Sequence, residues 1–179
     1  MIKKSINRSP ERQKQYDIAY MEMAEAFAKL SYAKKKQVGA IIVSRNDQVI
    51  SQGFNGTPHG FSNICEELLY DNGVIVNFDK EPEEFEKMYK MYKKGGLDAS
   101  AKLKTKPEVL HAETNAITKC AKYHNSTEGA TLYVTLAPCL NCAKLIVQAE
   151  IARVVYKEYY NEDTGINFLK SCGVIVEQL

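Results

Sequence analysis

The sequence predicts an α/β fold in which helices cover a sheet whose strands are partly parallel. Helical and β-rich segments alternate through the second half of the chain, an order typical of parallel strands connected by helices. In the first half, apolar β-rich runs at residues 38–44 and 48–54 flank a short polar turn and indicate a hairpin. We expect a single domain over residues 1–179, since this length suits one hydrophobic core.

The first element is expected to be a helix from Ser9 to about Leu30. Ser9 offers a capping hydroxyl, Pro10 suits the first helical position, and Glu11 lies near the positive end of the helix dipole. Beyond residue 108 the pattern predicts helices at about 112–124, 139–149 and 164–172 and strands at 131–135, 152–156 and 174–177.

The segment that follows the hairpin is less regular and is interpreted as an insertion at about residues 61–107. The glycines at 95–96 are expected to end a charged helix within it. Four apolar residues fall on one face of that helix: Phe85, Met88, Tyr89 and Tyr92. We expect the insertion to pack on the core as a lid or a subunit contact.

The composition indicates a soluble globular protein, because hydrophobic residues make up 45% and charged residues 26%. A net charge of +2 and a pI near 8.2 are too mild for a protein that coats nucleic acid, but suit one that binds a small anion. No apolar run approaches the roughly 20 residues that a membrane span needs, and no signal-peptide pattern is expected. The five cysteines are irregularly spaced, which favours reduced thiols in a cytosol-like compartment.

Two short motifs carry the strongest chemical signal: His111 and Glu113 in the first, Cys139 and Cys142 in the second. Imidazole and thiolates are good zinc ligands, and the two cysteines share one face at the start of a helix, where the dipole favours thiolates. Three protein ligands leave a fourth zinc position for water. We expect Glu113 to remain outside the ligand shell and to accept that water's proton.

Other interpretations of a Cys-x-x-Cys pair are a structural zinc knuckle and a redox pair. A structural zinc site normally needs four protein ligands, and the remaining cysteines, Cys65, Cys120 and Cys172, are interpreted as buried apolar residues. The catalytic, open site is therefore the preferred interpretation.

The paired motifs resemble the H-x-E…P-C-x-x-C signature of zinc deaminases. The resemblance extends to the deoxycytidylate (dCMP) deaminase family and its phage members. It rests on VGA at residues 38–40, GFNGTPHG at 53–60, HAETNAI at 111–117 and the stretch 131–144. It covers about residues 16–160, with the insertion poorly matched.

This resemblance implies a cytidine-deaminase-like three-layer sandwich with a mixed five-stranded sheet flanked by helices. It implies zinc-dependent hydrolysis of dCMP to dUMP and ammonia, supplying dUMP for thymidylate synthesis. It further implies a homohexamer in the cytoplasm, activated by dCTP and inhibited by dTTP with Mg²⁺, and without nucleic-acid or membrane partners. Some phage relatives carry a second, structural zinc in the insertion, which is not expected here because Cys65 has no histidine near it in that span.

Site residues follow from the same resemblance. The substrate-binding residues are expected to be Asn55, Ala112, Thr135, Leu136, Ala137 and Tyr160. The regulatory residues are expected to be Gly56, Gly60 and Lys122. Two alternatives stay open: residues 53–60 also suit an ordinary connecting loop, and Tyr160 also suits core packing.

Two functions other than dCMP deamination are also considered. A sibling deaminase acting on cytidine, guanine or tRNA adenosine has the same zinc motif, although a tRNA enzyme is expected to be more basic. A non-catalytic nucleotide-binding zinc protein is expected to lack the proton carrier or to close the metal site. The basic run at residues 34–36 is compatible with either a phosphate site or a solvated turn.

Overall fold

The computed structural model describes residues 8–95, 101–160 and 163–179. In chain order the elements are α1 (Pro10–Ala28), β1 (Gly39–Val43), β2 (Val49–Phe54), β3 (Glu66–Tyr70), β4 (Ile75–Val76), α2 (Pro82–Lys93), β5 (Ala101–Thr105), α3 (Ala112–Lys122), β6 (Thr131–Leu136), α4 (Leu140–Gln148), β7 (Arg153–Glu158), α5 (Thr164–Ser171) and β8 (Ile175–Gln178). Among the residues described, no helix is both long and apolar enough to cross a membrane.

The contacts divide the chain into two compact units. The first comprises the described parts of Met1–Ser31, Val38–Asn55 and His111–Leu179, and the second comprises those of Tyr32–Gln37 and Gly56–Leu110. The insertion predicted at 61–107 falls within the second unit. That both units form one domain stays a prediction.

The first unit contains a five-stranded sheet in the order β2-β1-β6-β7-β8. Strand β1 is antiparallel to β2 and to β6, whereas β6, β7 and β8 run parallel. Helices α1, α3, α4 and α5 and the elements of this sheet lie close to their predicted positions. The prediction of a mixed five-stranded sheet is confirmed.

Helices cover both faces of this sheet, which makes three layers. On one face Ile41 and Val43 pack with Met21 and Ala24 of α1. On the other face the alternating residues of the strands pack with apolar residues of α3, α4 and α5: Ala40, Ile42, Leu132, Val134, Val154, Ala116, Ala143, Ile146 and Leu169. Because both faces are buried, β1 is apolar at every position rather than alternating.

Two glycines let helices approach the hairpin closely. A Cβ added at Gly39 would lie 2.0 Å from the carbonyl oxygen of Ala24 in α1. A Cβ added at Gly53 would lie 2.2 Å from the carbonyl oxygen of Ala112, at the start of α3. Side chains are excluded at such distances, so Gly53 sets how closely the first turn of α3 packs against β2.

An ion pair between the buried Asp17 and the partly exposed Arg153 connects α1 to the sheet. Both terminal guanidinium nitrogens of Arg153 on β7 donate to Asp17, at 2.8 and 2.7 Å. The Tyr133 hydroxyl of β6 donates to the same carboxylate at 2.7 Å, and the Gln13 amide donates at 2.9 Å. Asp17 is therefore a carboxylate with a full set of donors, which allows its burial.

The second unit has its own three-stranded antiparallel sheet, in the order β4-β3-β5, and its own apolar core. Phe85 and Met88 of α2 are buried in that core with Tyr89 and Tyr92 beside them, so the predicted helix face is confirmed. The expectation of weak organisation in this segment was wrong, because it overlooked all three strands. Gly96, one of the two glycines expected to end α2, lies outside the described residues.

The three cysteines outside the two motifs differ in burial. Cys65 and Cys120 are buried, as predicted, whereas Cys172 is exposed. Cys172 lies just beyond the last residue of α5 as its C-cap, where the chain turns into β8. A position at a helix end explains why an apolar interpretation of this cysteine was wrong.

Candidate active site

The sequence motifs lie at the N-termini of two helices. His111 is the N-cap of α3 and Cys139 is the N-cap of α4, both with extended backbone angles. Cys142 follows within the first turn of α4 and is buried. Helix N-termini carry a partial positive charge and free N–H groups, which favour thiolates at these positions.

The three potential metal ligands converge, as their types and spacing predicted. His111 Nδ1 lies 3.6 Å from Cys139 Sγ and 3.3 Å from Cys142 Sγ. All three ligand atoms lie within 4.8 Å of one another, the one cluster of this kind among the residues that the structure describes. Zinc–nitrogen and zinc–sulfur bonds at a tetrahedral angle would separate such atoms by about 3.6 Å. The donor set therefore fits zinc.

Hydrogen bonding between the two cysteines shifts their pKa values in opposite directions. The pKa of Cys139 is lowered to about 3, chiefly by its hydrogen bond from Cys142 and then by that from His111. The pKa of Cys142 is raised by the hydrogen bond to Cys139 and by burial. Hydrogen bonding to Cys139 also raises the pKa of His111. A metal cation would favour the second thiolate and neutral imidazole, so binding is expected to release protons.

Glu113 is a buried carboxyl beside this cluster. It is 3% exposed and hydrogen-bonds to Cys142. Burial is the main reason that its pKa is raised above the usual value for glutamate. A buried carboxyl with a raised pKa holds a proton more readily than an exposed one does, which suits a proton carrier.

The structure places Asn55 next to the first turn of α3. Its side-chain oxygen accepts a hydrogen bond from the Val38 N–H at 2.8 Å, and its own N–H donates to the Val38 oxygen at 3.1 Å. The preceding Phe54 oxygen accepts from the Asn115 side-chain amide at 2.8 Å. The role of Asn55 in binding a nucleotide stays a prediction.

The residues predicted to line a base pocket lie on the path to the metal ligands. Thr135 is buried near the end of β6, and its hydroxyl oxygen accepts from the Gly39 N–H at 3.1 Å. Leu136 and Ala137 lead from β6 to Cys139. Ala112 is fully buried at the first position of α3. Their contact with a nucleotide stays a prediction.

Other predicted residues do not join the cluster. Lys122 ends α3, which has 11 residues, so its backbone lies about 16 Å from His111. Tyr160 is 48% exposed. In the second unit, Gly56 pairs with Leu110 through two backbone hydrogen bonds, and Gly60 has a φ of +86°. The roles of these residues stay predictions.

The basic run at residues 34–36 has a structural role within the second unit. The N–H groups of Lys34 and Lys35 donate to one oxygen of the buried Glu66, at 2.9 and 3.0 Å. The Lys34 ammonium pairs with Glu86 at 2.8 Å. These contacts favour neither a phosphate site nor a fully solvated turn.

Sequence reasoning missed Thr114. Its hydroxyl oxygen lies 3.8 Å from Cys142 Sγ. Only the packing of α3 against α4 reveals this contact, and the one signal in the sequence is the position of Thr114 in the same helical turn as Glu113.

Three converging ligands of the type that zinc prefers, beside a buried carboxyl, define a metal-assisted hydrolytic site. The sequence also matches the family model described as the cytidine and deoxycytidylate deaminase zinc-binding region, over residues 14–158. The chain therefore belongs to the cytidine and deoxycytidylate deaminase family. The prediction of a hydrolytic deaminase is confirmed.

Two phage enzymes are similar to this chain, one in sequence and one in structure. The chain is 37% identical to the deoxycytidylate deaminase of Enterobacteria phage T4 over 152 residues, which cover 78% of this chain and 77% of the relative. A crystal structure of the dCMP deaminase from cyanophage S-TIM5, in complex with dCMP and dUMP, superposes with a TM-score of 0.70. It is 34% identical, and the match covers 97% of this chain and 100% of that one. The predicted resemblance to phage dCMP deaminases is confirmed.

A more distant structure shares the fold alone. The diaminohydroxyphosphoribosylaminopyrimidine deaminase/reductase of Thermotoga maritima is 20% identical, with a TM-score of 0.58. The match covers 93% of this chain and 37% of that one. The predicted cytidine-deaminase-like fold is thus confirmed by structures of differing chemistry.

Proposed function

We propose that this protein is a dCMP deaminase that converts dCMP and water to dUMP and ammonia. The observation that carries the proposal is the convergence of His111, Cys139 and Cys142 beside the buried Glu113. Similarity to the phage T4 and S-TIM5 enzymes supports dCMP as the substrate.

His111, Cys139 and Cys142 would hold a zinc ion. Zinc with three protein ligands lowers the pKa of water in its fourth position towards about 7, which is the chemistry that the metal supplies. Glu113 takes the proton released when water adds to the amino-bearing ring carbon and passes it to the adjacent ring nitrogen. The same carboxyl then takes the second proton of that water, from the hydroxyl now on the ring carbon, and gives it to the amino group, so that the C–N bond breaks, ammonia leaves and the carbonyl forms.

The remaining site residues bind the nucleotide in this proposal. Ala112 and the stretch of Thr135, Leu136 and Ala137 line the base pocket, since they connect the sheet with the metal ligands. Asn55 hydrogen-bonds to the sugar or base of the nucleotide. Tyr160 contacts phosphate or ribose, which its exposure permits.

The assay is ammonia release by zinc-loaded protein from dCMP, deoxycytidine, cytidine and guanine in parallel. We expect dCMP to give the highest kcat/KM. No turnover of dCMP by protein shown to contain zinc would reject the proposal, and a preference for an unphosphorylated nucleoside would change the substrate.

We also propose regulation by nucleotides, supported by the family resemblance. Gly56, Gly60 and Lys122 would be regulatory residues of a homohexamer that dCTP activates and that dTTP with Mg²⁺ inhibits. The enzyme would act in the cytoplasm, of the host if it is phage-encoded, and supply dUMP for thymidylate synthesis. The dCMP saturation curve should be sigmoidal and become hyperbolic with dCTP. A hyperbola that neither dCTP nor dTTP alters would remove the regulatory proposal.

A further inference from the structure

The hydroxyl of Thr114 points at one of the proposed metal ligands. Thr114 lies in the first turn of α3, and its Oγ1 is 3.8 Å from the Sγ of Cys142 in α4. Within the described ranges, this sulfur is the one hydrogen-bond partner recorded for that hydroxyl. The contact links the helix that carries His111 and Glu113 to the helix that carries Cys142.

The direction of the hydrogen bond follows from the ligand's charge. A metal-bound cysteine is a thiolate and has no proton to donate, whereas a threonine hydroxyl both donates and accepts. In the metal-bound protein, Thr114 is therefore the donor and Cys142 the acceptor.

The two sulfurs differ in how they are supported. Cys139 accepts a hydrogen bond from the backbone N–H of Cys142, which no side-chain substitution removes. Cys142 is 2% exposed, so little water can replace the Thr114 hydroxyl as a donor to its sulfur if that hydroxyl is removed.

We propose that Thr114 is a positioning residue whose hydroxyl donates to the metal-ligating sulfur of Cys142 and thereby sets the affinity and electronic character of the zinc site. This inference rests on the proposed zinc function. The hydrogen bond draws negative charge from the sulfur and holds its orientation, and partners of this kind typically change metal affinity about 10- to 100-fold when removed.

The test uses three variants of the full chain. T114V keeps the branched shape and removes the donor, whereas T114S keeps the donor. T118V is the matched control, because the exposed Thr118 lies one turn further along α3 and donates to the backbone oxygens of Thr114 and Asn115. Zinc affinity is measured by chelator competition. The thiolate-to-metal charge-transfer band is measured in the Co²⁺-substituted protein.

We expect T114V to bind zinc about tenfold more weakly and to shift the charge-transfer band to lower energy, since its sulfur is richer in electrons. T114S and T118V should match the wild type in both measurements. Should T114V fail to fold, T114A takes its place with the same expectation. Unchanged affinity and an unchanged band in the donor-free variant, or equal changes in T118V, would overturn the inference.

These outcomes are separate from those of the proposed function. Wild-type protein that turns over dCMP, with zinc binding independent of Thr114, overturns this inference alone. Protein that binds zinc in a Thr114-dependent manner but does not deaminate dCMP supports the inference and rejects the function.

Discussion

His111 Nδ1 lies 3.3 Å from Cys142 Sγ, although 31 positions of the chain separate the two residues. Strand β6 lies between them in sequence and connects the end of α3 with the start of α4. The packing of both helices on the same face of the sheet therefore assembles the metal site.

Replacing Cys142 by serine should abolish stoichiometric zinc binding. A serine hydroxyl is not deprotonated near neutral pH and is a poor substitute for a thiolate ligand. Metal content per chain, measured by atomic emission after dialysis, should fall well below that of the wild type. C172S is the matched control, because this cysteine is exposed and outside the cluster. Full zinc content in C142S would show that Cys142 is not a ligand.

Replacing Gly53 by alanine should displace the start of α3. The new Cβ would lie 2.2 Å from the Ala112 oxygen and 2.7 Å from the Ala116 nitrogen, both backbone atoms that cannot rotate away. We expect a loss of about 1–3 kcal/mol in unfolding free energy and weaker zinc binding, since His111 moves with the helix.

The control is G56A, whose added methyl would meet nothing within 4 Å. Urea unfolding of the two variants gives the comparison. If G53A unfolds at the same midpoint as G56A, the close approach of β2 and α3 is not a constraint.

Replacing Asp17 by asparagine should destabilise the first unit by about 3 kcal/mol, because Arg153 loses its buried carboxylate partner. The matched control is E128Q, which disrupts the Arg45–Glu128 pair on the surface. Those side chains are 52% and 61% exposed, so a change of at most about 0.5 kcal/mol is expected there. Equal losses in the two variants, measured by urea unfolding, would contradict the assigned role of burial.

The Asp17 contribution should depend on pH. Burial raises its pKa, but hydrogen bonds from Arg153, Tyr133 and Gln13 outweigh burial, and the net pKa is lowered. The folded protein thus binds the proton less well than the unfolded chain does. The stabilisation is present above the ordinary pKa of 3.8 and is lost as the pH falls through the lower folded value.

The unfolding free energy of the wild type minus that of D17N should therefore be constant at neutral pH and shrink below about pH 4. Denaturant titrations over a pH series provide this difference. A difference that grows towards acid pH would mean that the sign of the pKa shift is wrong.

Elements with local signals could be predicted from the sequence. Ser9 does cap α1, with its hydroxyl accepting from the Arg12 N–H at 3.3 Å, and β1 and β2 pair as the predicted hairpin. The metal cluster could be predicted because the chemistry of His111 and the spacing of the two cysteines restrict the ligand set before any coordinates are known.

The second sheet was missed because most of its pairing is not local. Strand β5 pairs with β3 although α2 lies between the two strands in sequence, so no short turn indicates the pairing. The first four residues of its sequence AKLKT do alternate between buried and exposed. The turn Asp71-Asn72-Gly73 between β3 and β4 contains Asn-Gly, a strong hairpin signal, and Gly73 has the positive φ of +82° that such turns need.

Sequence patterns could not predict the contacts around the metal ligands. The Thr114 hydroxyl contacts the Cys142 sulfur, and the Asn55 side-chain oxygen accepts from the Val38 N–H. Both contacts depend on how separate elements of the fold pack together. Residue type alone does not reveal which partner a hydroxyl or an amide finds.

The most direct test of the central claim compares ammonia release from dCMP by the wild type and E113Q, with zinc content and circular dichroism measured on the same samples. Glutamine has nearly the shape of Glu113 but cannot carry the proton. We predict equal zinc and equal folding, with turnover reduced at least about 100-fold in E113Q. A zinc-loaded E113Q that deaminates dCMP at the wild-type rate would contradict the account.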